Sequence, residues 1–346
     1  MNRFSKPEPW LRARLFEGLV IPAHPLVLTD AGELDELRQR DLTRYYLEAG
    51  AGGIAVGVHT TQFEIRDPMI GLLDSVLELA AHTARDHDAT SGLVTVLIAG
   101  ICGGTDQAVA EARLAAHHGY HAGLVSLAAL PDASHDQLVE HCLAVAAEIP
   151  LFGFYLQPAV GGRFLSSDFW RRFSLIPNCV GIKIAAFNRY QTLDVIRAVA
   201  EAGRENDVAL YTGNDDHIVA DLVTTYEIST DRGPVRLGMI GGLLGQWAVW
   251  TRGAVDMLDR CKGAREAGSV PADLLTFGEQ LTEANAAIFD VENDFAGCVP
   301  GIHEVLRRAG LMQSIRCLNP DEVLSPGQAE KITAAELVLG EGSVAD

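Results

Sequence analysis

A single lysine, Lys183, is embedded in an apolar run of strand length, residues 180–184. Burying an ammonium group in a low-dielectric interior disfavours its charged form, so such a lysine either pairs with a carboxylate or titrates toward the neutral amine. A neutral amine attacks carbonyl carbons and forms Schiff bases. The ordinary alternative is an edge-strand lysine that points into water. We predict that Lys183 is a covalent catalytic residue whose pKa lies well below that of a free lysine.

The residues around Lys183 indicate that its side chain has room. Successive side chains of a strand point to opposite faces. Here one face is bulky and the other carries the lysine between two small residues: Val180, Ile182 and Ile184 against Gly181, Lys183 and Ala185. In a barrel strand the bulky face packs against the helices. The small face then leaves space for a ligand in the interior.

A tyrosine, Tyr155, stands in the preceding apolar run, residues 151–156. Alternation places Gly153 and Tyr155 on one face of that run. We predict that Tyr155 points inward beside Lys183 and relays protons to the carbinolamine and the imine. A tyrosine in an apolar strand more often packs in the core with its hydroxyl bonded, and the adjacency to Lys183 favours the catalytic interpretation.

The elements that must position these residues alternate along the chain. Strand-like runs, separated by helix-like amphipathic runs, are predicted at residues 18–21, 53–56, 94–99, 123–127, 151–156, 180–184, 208–212 and 237–240. Eight such units fit a (β/α)8 TIM barrel better than a doubly wound sheet, and no dinucleotide fingerprint follows the first strand. We predict a barrel with a short N-terminal segment over 1–264 and a helical segment packed on it over 265–346, with a surface loop at 229–234.

Composition excludes several classes of partner. The formal net charge is −19 without a basic cluster, which argues against nucleic acid and anionic membrane. The six cysteines are scattered, as in reduced cytosolic proteins. No apolar leader or span of membrane length is found, so we expect a cytoplasmic protein.

The histidines near Gly119 lack a completed ligand set, and Asp215 and Asp216 are interpreted as helix N-terminal acids, so no metal is predicted.

Two motifs resemble a known family. Residues 155–158 read Y-L-Q-P and residues 177–183 read P-N-C-V-G-I-K. They are similar to the Y-x-x-P and P-x-x-x-G-I-K segments of the dihydrodipicolinate synthase / N-acetylneuraminate lyase family. The resemblance continues through residues 50–57, 213–216 and 238–241, and this ordered set is specific.

The resemblance implies a class I aldolase-type barrel without a metal or an organic cofactor. In such a barrel Lys183 would form the imine with a 2-oxo acid, commonly pyruvate, and Tyr155 would act as the proton relay. Gly213 and Ile240 would line the site through backbone groups.

The sequence also departs from the family. Residues 57–64 read G-V-H-T-T-Q-F-E where the family has G-T-T-G-E or G-S-T-G-E, whose hydroxyls and amides hold the substrate carboxylate. Strand parity places His59 inward, so we predict that His59 with Thr60, or else Thr61, holds the carboxylate. Residues 127–130 replace an aromatic pair of the synthases, and no arginine follows Pro158 at once. Both departures argue against dihydrodipicolinate synthase activity itself.

These features predict a Schiff-base-forming lyase or aldolase acting on a small 2-oxo acid. A hydro-lyase (dehydratase) acting on a 2-oxo sugar acid through the same lysine is an open alternative. So is a catalytically retired barrel with a binding or regulatory role. We expect a homo-oligomer, either a dimer or a tetramer.

Overall fold

The computed structural model describes residues 4–343, and the side chains of residues 4–339. Among these residues, eight strands alternate with helices: β1 (Val20–Pro22), β2 (Gly53–Val56), β3 (Val96–Ile101), β4 (Ala122–Val125), β5 (Leu151–Leu156), β6 (Cys179–Ala185), β7 (Ala209–Thr212) and, after an inserted hairpin of β8 (Tyr226–Thr230) and β9 (Gly233–Leu237), β10 (Gly241–Leu244). This element order is that of a (β/α)8 barrel.

The helices include those between the strands and a group after the last strand. They are α1 (Leu11–Phe16), α2 (Glu36–Glu48), α3 (Leu73–Ser91), α4 (Thr105–His117), α5 (His135–Ala146), α6 (Ser167–Ser174), α7 (Arg189–Glu201), α8 (Ile218–Val223), α9 (Thr251–Ala267), α10 (Ala272–Ile288), α11 (Cys298–Arg308) and α12 (Gln328–Ser343). Within residues 4–343, no helix is both long and apolar enough to cross a membrane.

The described residues group into two compact units. The first contains residues up to 19, 96–214 and 221–243, and the second contains 20–95, 215–220 and the residues from 244 onward. In the first unit β3, β4, β5, β6, β7 and β10 pair in this order, and every pair is parallel. In the second unit β1 and β2 lie side by side, and α10, α11 and α12 pack on one another.

The predicted boundary at residue 264 falls inside α9, near its end. The two compact units cut across both predicted segments. The division into 1–264 and 265–346 therefore stays a prediction.

Most predicted strands agree with the structure within two residues, but the eighth was wrong. The predicted strand at 237–240 falls between β9, which ends at Leu237, and β10, which begins at Gly241. The apolar run 237–244 contains several glycines, so apolar character alone did not show where the strand begins.

The predicted surface loop at 229–234 was also incomplete. These residues form the turn and the adjoining ends of an antiparallel hairpin, in which Thr230 pairs with Gly233. Gly233 adopts a φ of 104°, which glycine accepts readily. Residues 226–230 alternate large and polar side chains, a pattern typical of a half-exposed strand that could have predicted β8.

The start of α5 is set by a local sequence signal, a serine followed three residues later by a glutamine. Ser134 caps α5, accepting a hydrogen bond from the Gln137 N–H at 3.3 Å, while the Gln137 side chain accepts from the Ser134 N–H at 2.8 Å. This reciprocal pair satisfies two amides that the helix cannot pair itself. It fixes where the chain enters α5 after the loop that follows β4.

Candidate active site

Lys183 lies late in β6, and its side chain is buried, with 9% of the residue exposed. It is in register with Phe154 of β5 and Tyr211 of β7. Residues in register on parallel strands point to the same face of the sheet. The Lys183 ammonium lies 4.7 Å from the centroid of the Phe154 ring. The lysine therefore has an aromatic and largely dry environment, while the predicted pKa of its amine stays a prediction.

Gly213 borders the side chain of Lys183. It follows β7, and its N–H donates to the Ile184 carbonyl at 2.7 Å. A Cβ at this position would lie 2.5 Å from Lys183 Cε and 2.9 Å from Ala185 Cβ, which is closer than real contacts allow. The absence of a side chain at Gly213 is what gives the lysine stem its space. A contact between Gly213 and substrate stays a prediction.

The prediction that Tyr155 lies on the same face of the sheet as Lys183 was wrong. The neighbour of Lys183 in register is Phe154, whereas Tyr155 pairs with Ile184. The Tyr155 ring packs against Trp170 of α6 at 5.4 Å between centroids, and its hydroxyl accepts a hydrogen bond from the Leu165 N–H at 3.2 Å. Burial raises the pKa of the Tyr155 hydroxyl. These contacts make Tyr155 an anchor for the loop after β5, and a relay role for it stays a prediction that they do not support.

Substituting Tyr155→Phe is expected to lower stability by about 1–3 kcal/mol, because the Leu165 N–H loses a buried acceptor. Turnover on a confirmed substrate should change less than about tenfold, since the general acid–base effect of roughly 10²-fold or more requires a hydroxyl at the reacting atoms. Chemical unfolding and steady-state kinetics measure the two effects. A loss of turnover near 10²-fold with unchanged stability would restore the relay assignment.

Ile240 lies immediately before β10 rather than at the end of a strand. Its N–H donates to the carbonyl of Leu210 at 3.0 Å, as part of the sheet. Gly241, the next residue, is level with Tyr211, which is itself in register with Lys183. The predicted lining role of Ile240 is therefore neither confirmed nor excluded by its position.

The loops after β4 and β5 are tied together by Arg163. Its guanidinium donates to the carbonyl of Leu130 and, at 3.0 Å, to the carbonyl of Ala133. The nearest arginine after Pro158 is thus engaged with backbone groups of the neighbouring loop. Its bonds fall on the segment where the aromatic pair of the synthases is missing.

A buried carboxylate that the sequence analysis missed organises the loops after β6 and β7. Asp221 accepts hydrogen bonds from the Thr212 hydroxyl at 2.7 Å and the Asn214 amide at 2.9 Å, and pairs with Arg189 at 2.6 Å. The Asn214 side chain in turn accepts from the Phe187 N–H at 3.0 Å. An aspartate inside the apolar stretch 218–223 was the signal, because such a group is buried only when it is paired.

The loop after β2 holds the three residues predicted to bind the carboxylate, in a 3₁₀ turn of His59–Thr61. The Thr60 hydroxyl donates to the Ala23 carbonyl at 2.8 Å, and the Thr61 hydroxyl donates to the His24 carbonyl at 2.7 Å. A hydroxyl has one proton to donate, so both threonines already use theirs within the second unit. The assignment among His59, Thr60 and Thr61 stays a prediction.

Two histidines of the second unit, His24 and His303, are fully buried. Burial lowers the pKa of each to about 4. His24 Nε2 lies 2.8 Å from the Thr43 hydroxyl, and His303 Nδ1 lies 3.2 Å from the Ile315 carbonyl. Because the Thr43 hydroxyl donates to the Gln39 carbonyl, it accepts from His24 Nε2–H, which fits a neutral imidazole.

Acidification is expected to destabilise the fold through these two histidines. In the unfolded chain a histidine has a pKa near 6.5, so between about pH 6.5 and 4 the unfolded state binds more protons and stability falls with pH. The maximum loss is roughly 3 kcal/mol for each histidine. Chemical unfolding from pH 7.5 to 4 measures it in wild type, in His303→Asn, which keeps a donor, and in the exposed control His82→Asn. Parallel curves for wild type and His303→Asn would contradict this expectation.

No metal was predicted, and the histidines and aspartates considered as ligands lie in the part of the chain that the structure describes. Among the side chains of residues 4–339, no group of three or more His, Cys, Asp and Glu is placed to hold a metal ion. His121, one of the histidines near Gly119, instead accepts a hydrogen bond at Nδ1 from the Leu97 N–H at 2.9 Å.

The alternation of elements defines a (β/α)8 barrel, and a buried lysine lies late in its sixth strand, where a Schiff-base lysine was predicted. The sequence matches the model of the dihydrodipicolinate synthetase family over residues 17–225. The chain therefore belongs to this family, which confirms the resemblance.

Solved structures confirm the fold. Dihydrodipicolinate synthase from Bacteroides thetaiotaomicron has a TM-score of 0.73 at 16% identity, with 92% of this chain and 98% of that chain covered. The synthase from Acinetobacter baumannii, complexed with pyruvate, scores 0.74 at 19% identity over 93% and 99%. N-acetylneuraminate lyase from Fusobacterium nucleatum scores 0.71 at 17% identity over 93% and 98%. No curated protein matches the sequence. The predicted (β/α)8 barrel with a C-terminal helical part is confirmed.

Proposed function

We propose that the chain is a Schiff-base-forming lyase or aldolase that acts on a small 2-oxo acid through Lys183. The observation that carries the proposal is the lysine itself, buried on the small-residue face of β6 with its stem against Gly213. Family membership supports the same chemistry. A lysine in such surroundings loses the hydration that favours its ammonium form, which makes the neutral nucleophile accessible.

The chemistry begins with the neutral amine of Lys183. Its lone pair attacks the C2 carbonyl carbon, and a proton moves from nitrogen to oxygen to give the carbinolamine. Uptake of one proton and loss of water break the C–O bond and leave a cationic imine.

This imine accepts electrons, so the C3–C4 bond breaks as the C4 hydroxyl loses its proton, which releases an aldehyde and leaves an enamine on the lysine. Condensation is the reverse, and protonation of the enamine at C3 followed by hydrolysis of the imine frees the lysine. In a hydro-lyase, loss of a C3 proton first gives the enamine, and the enamine then pushes electrons outward to expel the C4 hydroxyl, which leaves as water after taking up a proton.

The substrate class follows from the imine and from the relatives. The imine requires a carbonyl group, and the synthase from A. baumannii was solved with pyruvate. We therefore propose pyruvate and its longer 2-oxo analogues as the first substrates to test. We also propose that the protein is a cytoplasmic homo-oligomer. Dihydrodipicolinate synthesis is not proposed, because residues 127–130 lack the aromatic pair and Arg163 is bonded to backbone carbonyls.

Borohydride trapping tests the proposal. Incubating the protein with pyruvate, 2-oxobutyrate, 2-oxoglutarate or a 2-oxo-3-deoxy sugar acid and then with borohydride should add the mass of the reduced ligand to the Lys183 peptide. The same acids without borohydride are the control. If no acid in the panel adds mass to Lys183, the lyase proposal fails.

A non-catalytic barrel that binds a ligand is the second candidate, and the β5 register favours it. Phe154, which carries no proton to exchange, stands beside Lys183, while the Tyr155 hydroxyl is bonded to Leu165. In that case a 2-oxo acid protects the protein against unfolding without forming an adduct. Trapping and thermal shift on the same samples separate the two functions.

A further inference from the structure

We infer that Phe154 stabilises positive charge on the Lys183 nitrogen and thereby the cationic imine. This inference rests on the proposed function for its catalytic meaning. It makes Phe154 a catalytic residue, since its ring touches the nitrogen at which the bond forms. Phe154 lies on the face of β5 opposite Tyr155, so the prediction of an inward Tyr155 left Phe154 without a role.

The geometry is that of a cation–π contact. The Lys183 nitrogen lies 4.7 Å from the ring centroid of Phe154, and the two residues are in register on neighbouring strands. A cation within about 6 Å of an aromatic face is attracted by the ring quadrupole. The imine places its positive charge on the same nitrogen. The ring therefore acts on the ammonium and on the imine, but has much less effect on the neutral amine.

Few other titratable groups share this face in the first unit. In register with Lys183 on β7 stands the titratable Tyr211, while Cys179 lies at the start of β6, in register with Leu151 and before the register shift. Burial raises the pKa of the Cys179 thiol to about 12. The Tyr211 hydroxyl donates to the Leu15 carbonyl at 2.7 Å and accepts from the Leu19 N–H, and burial raises its pKa as well. Neither group changes charge near neutral pH, so neither reproduces the effect expected of Phe154.

This role has a signature that packing alone does not give. Where the free amine is protonated, amine and imine are both cationic, so removing the ring affects both and imine formation changes little. Where the amine is neutral, only the imine loses its partner. In Phe154→Leu we therefore expect imine formation to weaken about two- to thirty-fold at alkaline pH and to be nearly unchanged at acid pH. The apparent pKa of the amine should fall by about 0.3 to 1.5 units.

The test compares wild type with Phe154→Leu, which stays apolar, and Phe154→Tyr, which keeps the ring. Borohydride trapping with pyruvate is measured from pH 6 to 10. In parallel, competitive labelling of Lys183 by acetic anhydride reports the amine pKa without any 2-oxo acid. Thermal unfolding shows whether each variant is folded. The leucine variant should lower the amine pKa in the labelling experiment, and the tyrosine variant should resemble wild type.

The two experiments separate the possible failures. If wild type forms no adduct but the leucine variant lowers the amine pKa, the proposed function fails and the charge stabilisation by Phe154 stands. If the leucine variant leaves the labelling profile unshifted, or weakens trapping equally at every pH, the inference is overturned and Phe154 is a packing residue. An unfolded leucine variant is replaced by Phe154→Met in the same two measurements.

Discussion

Replacing Lys183 by alanine is expected to abolish the borohydride adduct and to lower turnover by about 10³-fold or more, as loss of a covalent nucleophile does. The amine is buried on β6, and the adjacent Gly213 gives its stem space, so the substitution removes the nucleophile itself. The effect is measured by intact mass after reduction and by steady-state kinetics. Lys183→Arg keeps the charge but has no usable amine, and should fail equally.

The small number of lysines allows a direct control for the assignment of the adduct to Lys183. The chain has four lysines, Lys6, Lys183, Lys262 and Lys331. Within residues 4–339, the other three are exposed or half-exposed, and Lys262 and Lys331 make ion pairs that arginine can keep. Replacing these three by arginine leaves Lys183 as the only lysine, and the adduct should persist in that variant. An adduct that disappears there, while Lys183→Ala still forms it, would contradict the assignment.

Substituting Gly213→Ala is expected to slow imine formation by about 10²-fold while the protein stays folded. The new Cβ would lie 2.5 Å from Lys183 Cε, so the lysine stem must move aside. A reactive group misplaced by about 1 Å loses rate on this scale. The lysine stem is flexible and can move aside, but the Ala185 Cβ at 2.9 Å cannot rotate away, so part of the strain falls on the backbone and stability should fall as well. Single-turnover trapping with pyruvate measures the rate, and thermal unfolding measures the stability.

Gly263→Ala is the matched control for this substitution. Gly263 lies in α9, and a Cβ there meets nothing within 4 Å. Alanine favours a helix over glycine by up to about 1 kcal/mol, so this variant should be at least as stable as wild type and should trap pyruvate at the same rate. Gly213→Ala trapping as fast as Gly263→Ala would show that the lysine does not depend on the space at Gly213.

The small-residue face on which Lys183 lies could be predicted from the alternation along β6 alone. Whether Tyr155 shares that face depends on β5 and on its register with β6. The alternation along β5 was read correctly. Which of its faces joins that of Lys183 is set by its register with β6, and this register shifts between Leu151, paired with Cys179, and Phe152, paired with Gly181. A one-residue shift exchanges the two faces of a strand. A β-bulge or similar irregularity leaves no clear mark in an apolar sequence.

The missed elements have a similar physical cause. The apolar run 237–244 carries strand character along its whole length, and only its pairing with Tyr211 and Thr212 shows that β10 begins at Gly241. The role of Asp221 was missed, because its partners Thr212 and Arg189 lie on other elements. Order and type of element were thus local properties, while strand ends and buried polar partners were not.

The hydrogen bonds and the ion pair that Asp221 makes with three residues of two loops affect how the protein responds to mutation. Because one carboxylate binds Thr212, Asn214 and Arg189, we expect the loops after β6 and β7 to respond to mutation as a single unit. Substitutions placed in the two loops will not combine additively, since each alters the support of the other. Libraries that aim to change the substrate range should exchange both loops together with the aspartate, rather than diversify either loop alone.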